Sequence, residues 1–266
     1  MMEPDDKRPP ITVTIIACNE ADRIGRAIES AHAIAREILV VDSGSADDTV
    51  KISEAAGARI VHNDWPGYGP QKIFAERAAR HDWIFNLDAD EEISPELAEA
   101  VRVAFRDGEP NAAAFSCRWK MVHFGDARPR ALAPAKSFIR LYDRRLAGFR
   151  DSLVHDSVIV RSGRTAPLDG LVYHRSFRSL AHFREKLDAY AELQARDMAV
   201  RGRAPSRSRI AMEPVLAFTK AFLLRRYWIY GRDGLEMARA YAELRRARLA
   251  RARRIAENAA MRTKGG

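Results

Sequence analysis

WIFNLDADEE, Trp83 to Glu92, is the stretch on which the reading of this chain turns. Trp83–Leu87 is apolar except for Asn86. That suits a short strand buried on both faces. It runs straight into Asp88, Asp90, Glu91 and Glu92. The two aspartates stand two apart, so on extended backbone they point the same way. Two carboxylates on one side repel unless a cation lies between them. A hard divalent ion, Mg²⁺ or Mn²⁺, meets that need, because Mg²⁺ typically binds through one or two carboxylates plus substrate phosphates. Glu91 and Glu92 are read differently, as acids that complement the dipole at the start of the next helix.

Outward from this stretch the first half alternates. ITVTIIACN, EILVVD and ARIVHN read as three further strands. Between them, Ile24, Ala27, Ile28 and Ala31 fall at helical spacing. SADDTVKISEAAG predicts a helix capped by Ser45 or Asp47 and ended by Gly57. PQKIFAERAARH predicts another, and SPELAEAVRVAF one with Ser94 as N-cap and Pro95 at the first helical position. Strand–helix alternation with near-continuous apolar strands indicates a mostly parallel sheet with helices on both faces. Beyond about residue 110 the strands become irregular. AAFSCRWKMVHF, KSFIRLYDRR, SVIVRSGR and GLVYHR are candidates, and from Phe177 onward the chain reads as helical.

Composition narrows the function. With 266 residues, 47% of them hydrophobic, the chain makes one large domain or a domain with an appendage, at roughly 100–200 residues per domain. No apolar run of about 18 residues occurs, so no membrane-spanning helix is expected. MMEPDDKRPP places acids and prolines where a signal peptide needs basic and then apolar residues. Residues 1–10 therefore read as a disordered lead, and the protein as cytoplasmic. Cys18 and Cys117 lie far apart without metal-ligand spacing, as reduced thiols would. Residues 201–266 hold 17 Lys and Arg against 5 Asp and Glu, whereas residues 1–200 hold 28 against 31. All the excess basicity sits in the last quarter, and it calls for an anionic partner, nucleic acid or a membrane surface.

Ligands of open α/β sheets bind beyond the carboxyl ends of the strands. Three strands here end in polar side chains: Asn19 and Glu20, then Asp42, then Asp88 and Asp90. No GxGxxG follows the first strand and no GxxxxGK[ST] is present. That argues against dinucleotide oxidoreductases and P-loop NTPases. Diphosphate recognition must then come from metal and basic residues.

TIIACNE, VVDSGSADDT and LDADE, in this order, resemble the family 2 inverting glycosyltransferases with the GT-A fold. DWPGYGPQK, residues 64–72, is similar to bacterial enzymes that add glucose or a related sugar to the lipopolysaccharide inner core. LVHD (153–156) and VYHRSFRS (172–179) continue the likeness, which covers residues 11–200. The resemblance implies a GT-A domain over 11–200, with a nucleotide half (11–110) and an acceptor half (111–200), and a basic helical extension over 201–266. It implies a UDP-sugar or other nucleoside-diphosphate sugar as donor. Asp42 would hydrogen-bond the base, and Ala17, Asn19 and Glu20 would line the same pocket. Gln71 and Lys72 would face nucleotide or phosphate. Asp88 would serve the ribose and metal region, Asp90 would bind the metal, and His174 is a further candidate ligand. Asp156 would be the base that deprotonates the acceptor hydroxyl, with Asp151 in reserve. The family often has Glu where Asp156 stands.

Three further expectations concern partners. Arg128, Arg130 and Lys136, in and beside GDARPRALAPA, suit an anionic saccharide acceptor carried on a lipid. Phe218, Phe222, Leu223, Tyr227, Trp228 and Tyr230 lie beside Lys220, Arg225, Arg226 and Arg232, a mixture suited to the surface of an anionic membrane. A polyprenyl-phosphate sugar synthase, sharing the nucleotide site, is the alternative enzyme. A nucleic-acid-binding protein is the non-enzyme alternative, and it is disfavoured because no RNA-binding signature accompanies the basic tail.

Overall fold

The computed structural model describes residues 8–151, 157–200 and 204–264. They form two compact units, residues 1–121 with 135–175, and residues 122–134 with 176–266. The boundary expected at residue 200 falls inside the second unit.

The first unit is built on one eight-stranded sheet. Its parallel half comprises β1 (Ile11–Ala17), β2 (Glu37–Asp42), β3 (Arg59–His62) and β4 (Trp83–Asp88), in the order β3-β2-β1-β4. The joining helices are α1 (Ile24–Ala31), α2 (Thr49–Ala55) and α3 (Tyr68–Ala78). Burial follows the two-residue period of the strands. Ile38 and Val40 join the core under α1, while Leu39 and Val41 pack with Ala75 of α3 on the opposite face. Helices thus cover both faces, as the unbroken apolar strands demand. α1 buries the four residues expected of it, Ile24, Ala27, Ile28 and Ala31.

The chain then turns at Ala89–Asp90 into a three-residue strand, β5 (Glu91–Ile93), before α4 (Pro95–Ala104). Glu91 and Glu92 are therefore strand residues and not the first turn of a helix. α4 is capped by Ser94, whose Oγ accepts from Leu97 N at 3.2 Å. The sheet is completed by β6 (Ala114–Met121), β7 (Ala135–Asp143) and β10 (Thr165–His174). Its full order is β3-β2-β1-β4-β7-β6-β10-β5, and β7 runs antiparallel to both neighbours. A separate hairpin pairs β8 (Ala147–Phe149) with β9 (Val158–Val160). The GT-A-type α/β architecture expected from the sequence is the one observed. The cap expected for α2 is not. Asp48 precedes that helix without a side-chain cap, while Ser45 donates to Asp42 and Asp47 accepts from Thr49 and Ala21.

The second unit holds α5 (Leu180–Val200), α6 (Arg207–Thr219), a π-helical turn (Lys220–Leu224), a 3₁₀ turn (Tyr227–Tyr230) and the long α7 (Gly231–Lys264). The loop expected at the acceptor belongs here. Arg130 binds Asp126 (2.8 Å) and the carbonyl of Ile229 (2.5 Å), and lies over the Tyr230 ring. Of the expected surface aromatics, Tyr230 is buried and stacks on His123, whereas Trp228 is exposed. Glu213, Ala217 and Ala221 are the buried side of α6 and the π turn. Their other side exposes Met212, Val215, Leu216, Leu223 and Leu224. Among the described residues no helix is long and apolar enough to cross a membrane.

Candidate active site

Parallel strands carry their C-terminal side chains to one edge, and here that edge collects the polar strand ends. Asn19 sits just past β1 in left-handed backbone (φ 57°), a conformation Asn tolerates better than most side chains. Its Oδ1 accepts from Ala46 N at 2.8 Å, and its own N–H donates to Ser45 Oγ at 2.9 Å. The loops after β1 and β2 are thereby joined. Asp42 closes β2, buried, and its carboxylate accepts from Gly44 N (2.8 Å), Ser45 N (2.9 Å) and Ser45 Oγ (2.5 Å). Glu20 donates its backbone N–H to Thr49 Oγ1 and pairs with Arg23. Ala17 is buried at the end of β1. Gln71 is fully buried, and its amide nitrogen donates to Ser43 Oγ (3.0 Å) and to the carbonyl of Asn63 (3.1 Å). It holds the loops after β2 and β3 together from the start of α3.

Around Asp88 the charges are dense. Lys72 is 2% exposed, yet its Nζ donates to Asp88 Oδ1 at 2.9 Å and lies over the Phe149 ring. Arg140, also buried, reaches Asp88 Oδ2 at 3.4 Å and Glu91 Oε1 at 2.5 Å. Glu91 accepts further bonds from Trp119 Nε1 (3.1 Å) and Asp88 N (3.0 Å). Burial works to raise the Asp88 carboxyl, but Lys72 and then Arg140 outweigh it and hold the group below the usual carboxylate range. Burial pushes the Glu91 carboxyl up to about 7, against the pull of Arg140 and with the repulsion of Asp88 added. All three of its partners donate to it.

Asp90 faces a different set. Its Oδ2 lies 3.1 Å from His174 Nε2 and 3.5 Å from Arg23 Nη1. Burial works to raise its carboxyl, and the His174 hydrogen bond and charge reverse that. The chain turns at Ala89–Asp90, and the two aspartates have different hydrogen-bond partners, although Asp88 still repels the Asp90 carboxylate. Each carboxylate is already compensated by the protein, Asp88 by Lys72 and Arg140, Asp90 by Arg23 and His174. No group of three or more His, Cys, Asp or Glu side chains able to hold a metal exists among the described residues. Asp90 and His174, 3.1 Å apart, are the residues that could hold a divalent cation, through a carboxylate oxygen and a ring nitrogen.

A cleft of about 730 Å³ opens beside these groups. Asp88, Glu91, Arg140 and His174 line its inner wall, and Trp119, Lys136, Phe138 and Arg150 its outer part. Lys136 reaches the cleft, over the Trp119 ring. Asp156 and His155 lie outside the described residues. The residues that bracket them, Arg150 and Ser157, both line the cleft, and Arg150 N donates to the Ser157 carbonyl at 3.1 Å. Asp151 is exposed. Arg140, Trp119 and Arg23 were not singled out from the sequence, and Glu91 was read there only as an acid at the start of a helix. Arg140 did carry a signal, as the one charge within the apolar run SFIRLY.

Residues 12–164 match the family described as Glycosyl transferase family 2. A Rickettsia bellii protein described as an uncharacterized glycosyltransferase is 39% identical over 254 residues, covering 92% of this chain and 86% of that one. The Rhizobium meliloti protein named lipopolysaccharide core biosynthesis glycosyltransferase LpsC is 28% identical over 241 residues, 85% of each chain. Among solved structures, S. aureus TarS 1–349 aligns with a TM-score of 0.48 at 15% identity, over 95% of this chain and 91% of that one.

Proposed function

The chain belongs to the family 2 glycosyltransferases, and from that premise we propose that it moves a hexose, glucose in the first place, from UDP-sugar to a lipid-linked saccharide of the lipopolysaccharide core, inverting the anomeric centre. The observation that carries this reading is the convergence of Asn19, Asp42 and Asp88 at the ends of β1, β2 and β4, beside the Asp90–His174 pair. The nucleoside would lie along Ala17, Asn19, Glu20 and Asp42, whose loops Gln71 braces. Lys72 and Arg140 would keep Asp88 ionised next to the ribose and diphosphate. Asp90 and His174 would hold Mg²⁺ or Mn²⁺, which when bound neutralises charge on the departing diphosphate. The relative named for lipopolysaccharide core biosynthesis supports the acceptor class, and Lys136 and Arg150 on the cleft rim suit an anionic saccharide. A screen of sugar nucleotides for nucleoside-diphosphate release tests the reading. UDP-glucose is expected to give the highest rate, and silence from every UDP-sugar would overturn the donor class.

The base in this proposal is Asp156, which the chain carries between two cleft-lining residues. D156N is expected to lower turnover by about 10²- to 10⁴-fold, the usual contribution of general-base catalysis. Turnover within about tenfold of wild type would move the role elsewhere, Asp151 being the next carboxylate to test.

We also propose peripheral binding to an anionic membrane, on the cytoplasmic face in the setting read from the sequence. Val215 (70% exposed), Leu216 (58%) and Leu224 (75%) are far more exposed than such residues need be. Lys220, Arg225 and Arg226 flank them, also exposed. Apolar side chains would enter the headgroup region while the cations meet anionic lipid. The chain is expected to co-sediment with phosphatidylglycerol vesicles at low salt, and V215S/L216S/L224S to stay in the supernatant. Retention of the triple variant on vesicles would remove this surface from the proposal. Binding to oligonucleotides with steep salt dependence would favour the nucleic-acid reading instead.

A further inference from the structure

Many arginines of the second unit are matched to acids, as Arg251 is to Asp188 (2.8 Å) and Arg253 to Glu257 (2.7 Å). One group is matched less completely. A cleft of about 390 Å³ between α5 and α7 is lined by Arg225, Arg245 and Arg248. Glu213, buried, binds Arg245 at 2.6 Å. Arg248 donates from Nη1 to Gln194 Oε1 at 2.5 Å, but its buried Nε has no hydrogen-bond partner among the described residues. Arg225 lies over the Tyr241 ring, 4.5 Å from its centroid. Burial, and then the neighbouring Arg245, make the charged form of Arg248 less favourable than usual. Glu213 pairs directly with Arg245 and acts on Arg248 as a neighbouring charge, while Arg225 has the Tyr227 hydroxyl as its hydrogen-bond partner. The rest of the lining is largely apolar, with Leu187, Tyr190 and Leu244 prominent.

We propose that this cleft binds an amphiphilic anion, a phosphate group that carries a hydrocarbon chain. Like charges held this close repel, and an anion between them offsets that repulsion. Phosphate oxygens would accept from the terminal guanidinium nitrogens of Arg248 and Arg225, the residues that line the cleft, in the geometry that guanidinium favours. They would also relieve the crowding of positive charge. The hydrocarbon part would lie on Leu187, Tyr190 and Leu244, whose burial separates such a ligand from inorganic phosphate. None of its residues takes part in the sugar-transfer chemistry, and Arg225 is shared with the membrane surface proposed above.

Calorimetric titration of the full chain with hexyl phosphate, below its micelle concentration, tests the proposal. Inorganic phosphate and hexyl glucoside serve as probes of the two halves. Hexyl phosphate is expected to bind at least about tenfold tighter than either. R225Q and R248Q are each expected to weaken it by about tenfold or more, the scale of a lost charge-assisted hydrogen bond. Both should keep the thermal stabilisation given by UDP-glucose with Mn²⁺. Wild-type affinity in both variants would overturn the site. Equal affinity for inorganic phosphate and hexyl phosphate, or for hexyl glucoside and hexyl phosphate, would overturn the ligand class. Arg225 is exposed, so R225Q decides the matter if R248Q unfolds. Displacement of hexyl phosphate by phosphatidylglycerol vesicles would identify a bilayer lipid as the source. Its persistence in their presence would identify a separate amphiphile.

Discussion

Replacing Asp90 with alanine is expected to cut turnover by about 10²- to 10³-fold, the cost typical of removing a group that stabilises developing negative charge. In the proposed function Asp90 is the carboxylate that holds the cation. It sits past the end of β4, in the turn before β5, and shares its Oδ2 with His174 and Arg23. Asp88 is less available, since Lys72 and Arg140 already hold it. D90A should therefore abolish the extra thermal stabilisation that Mn²⁺ adds to UDP-glucose. It should leave the melting temperature of the apo protein within a few degrees, because it removes only partly buried pairs. H174A should show the same loss of metal response in weaker form. If D90A keeps turnover within about tenfold of wild type and still responds to Mn²⁺, the metal binds elsewhere.

Arg140 should dominate the stability of the site. R140M leaves Glu91 buried with no cation against it, and breaking a buried pair from one side costs about 3–5 kcal/mol. For a chain of this size that is a fall in Tm on the order of 10 °C. The loss should depend on pH. Burial already places the Glu91 carboxyl at about 7 with Arg140 present. Without that cation it rises further. A carboxyl whose pKa is higher folded than unfolded, where it is about 4.3, weakens the fold as pH rises between the two values. Wild type should stop losing stability from this group near pH 7, while R140M continues to lose it above. The deficit should thus be larger at pH 8.5 than at pH 5.5. R140M/E91Q should recover part of it, since the neutral amide removes the buried charge and still offers one oxygen to the Trp119 and Asp88 N–H groups. A fall of less than about 2 °C in R140M at pH 8.5 would refute the account.

Much of the first unit was legible because its information is local. The apolar runs of β1 to β4 and the helical spacing of Ile24, Ala27, Ile28 and Ala31 each need only their own neighbours to be read. Ser94 and Pro95 announce α4 for the same reason. β5 and β8 were not legible, since three residues carry no period. β5 exists by pairing with β10, Glu91 opposite His174 and Ile93 opposite Val172. Without that partner, a run of acids before SPEL reads as the approach to a helix. The loop of residues 122–134 likewise reads as part of the acceptor half. Arg130, bound to the Ile229 carbonyl, ties it instead to elements almost a hundred residues later.

The sequence alone determined which carboxylates stand at the ends of the parallel strands, because strand order and connection length leave Asp42, Asp88 and Asp90 nowhere else to go. It did not determine what each carboxylate meets. The partners of Asp88 lie 16 residues back, at Lys72, and 52 residues on, at Arg140, and those of Asp90 lie far back at Arg23 and 84 residues on at His174. Only the folded sheet brings them together. Two aspartates two residues apart in the chain looked like one repelling pair that needed an external cation. In the fold a single turn of backbone sends them to different partners, and the protein's own buried cations supply most of the compensating charge.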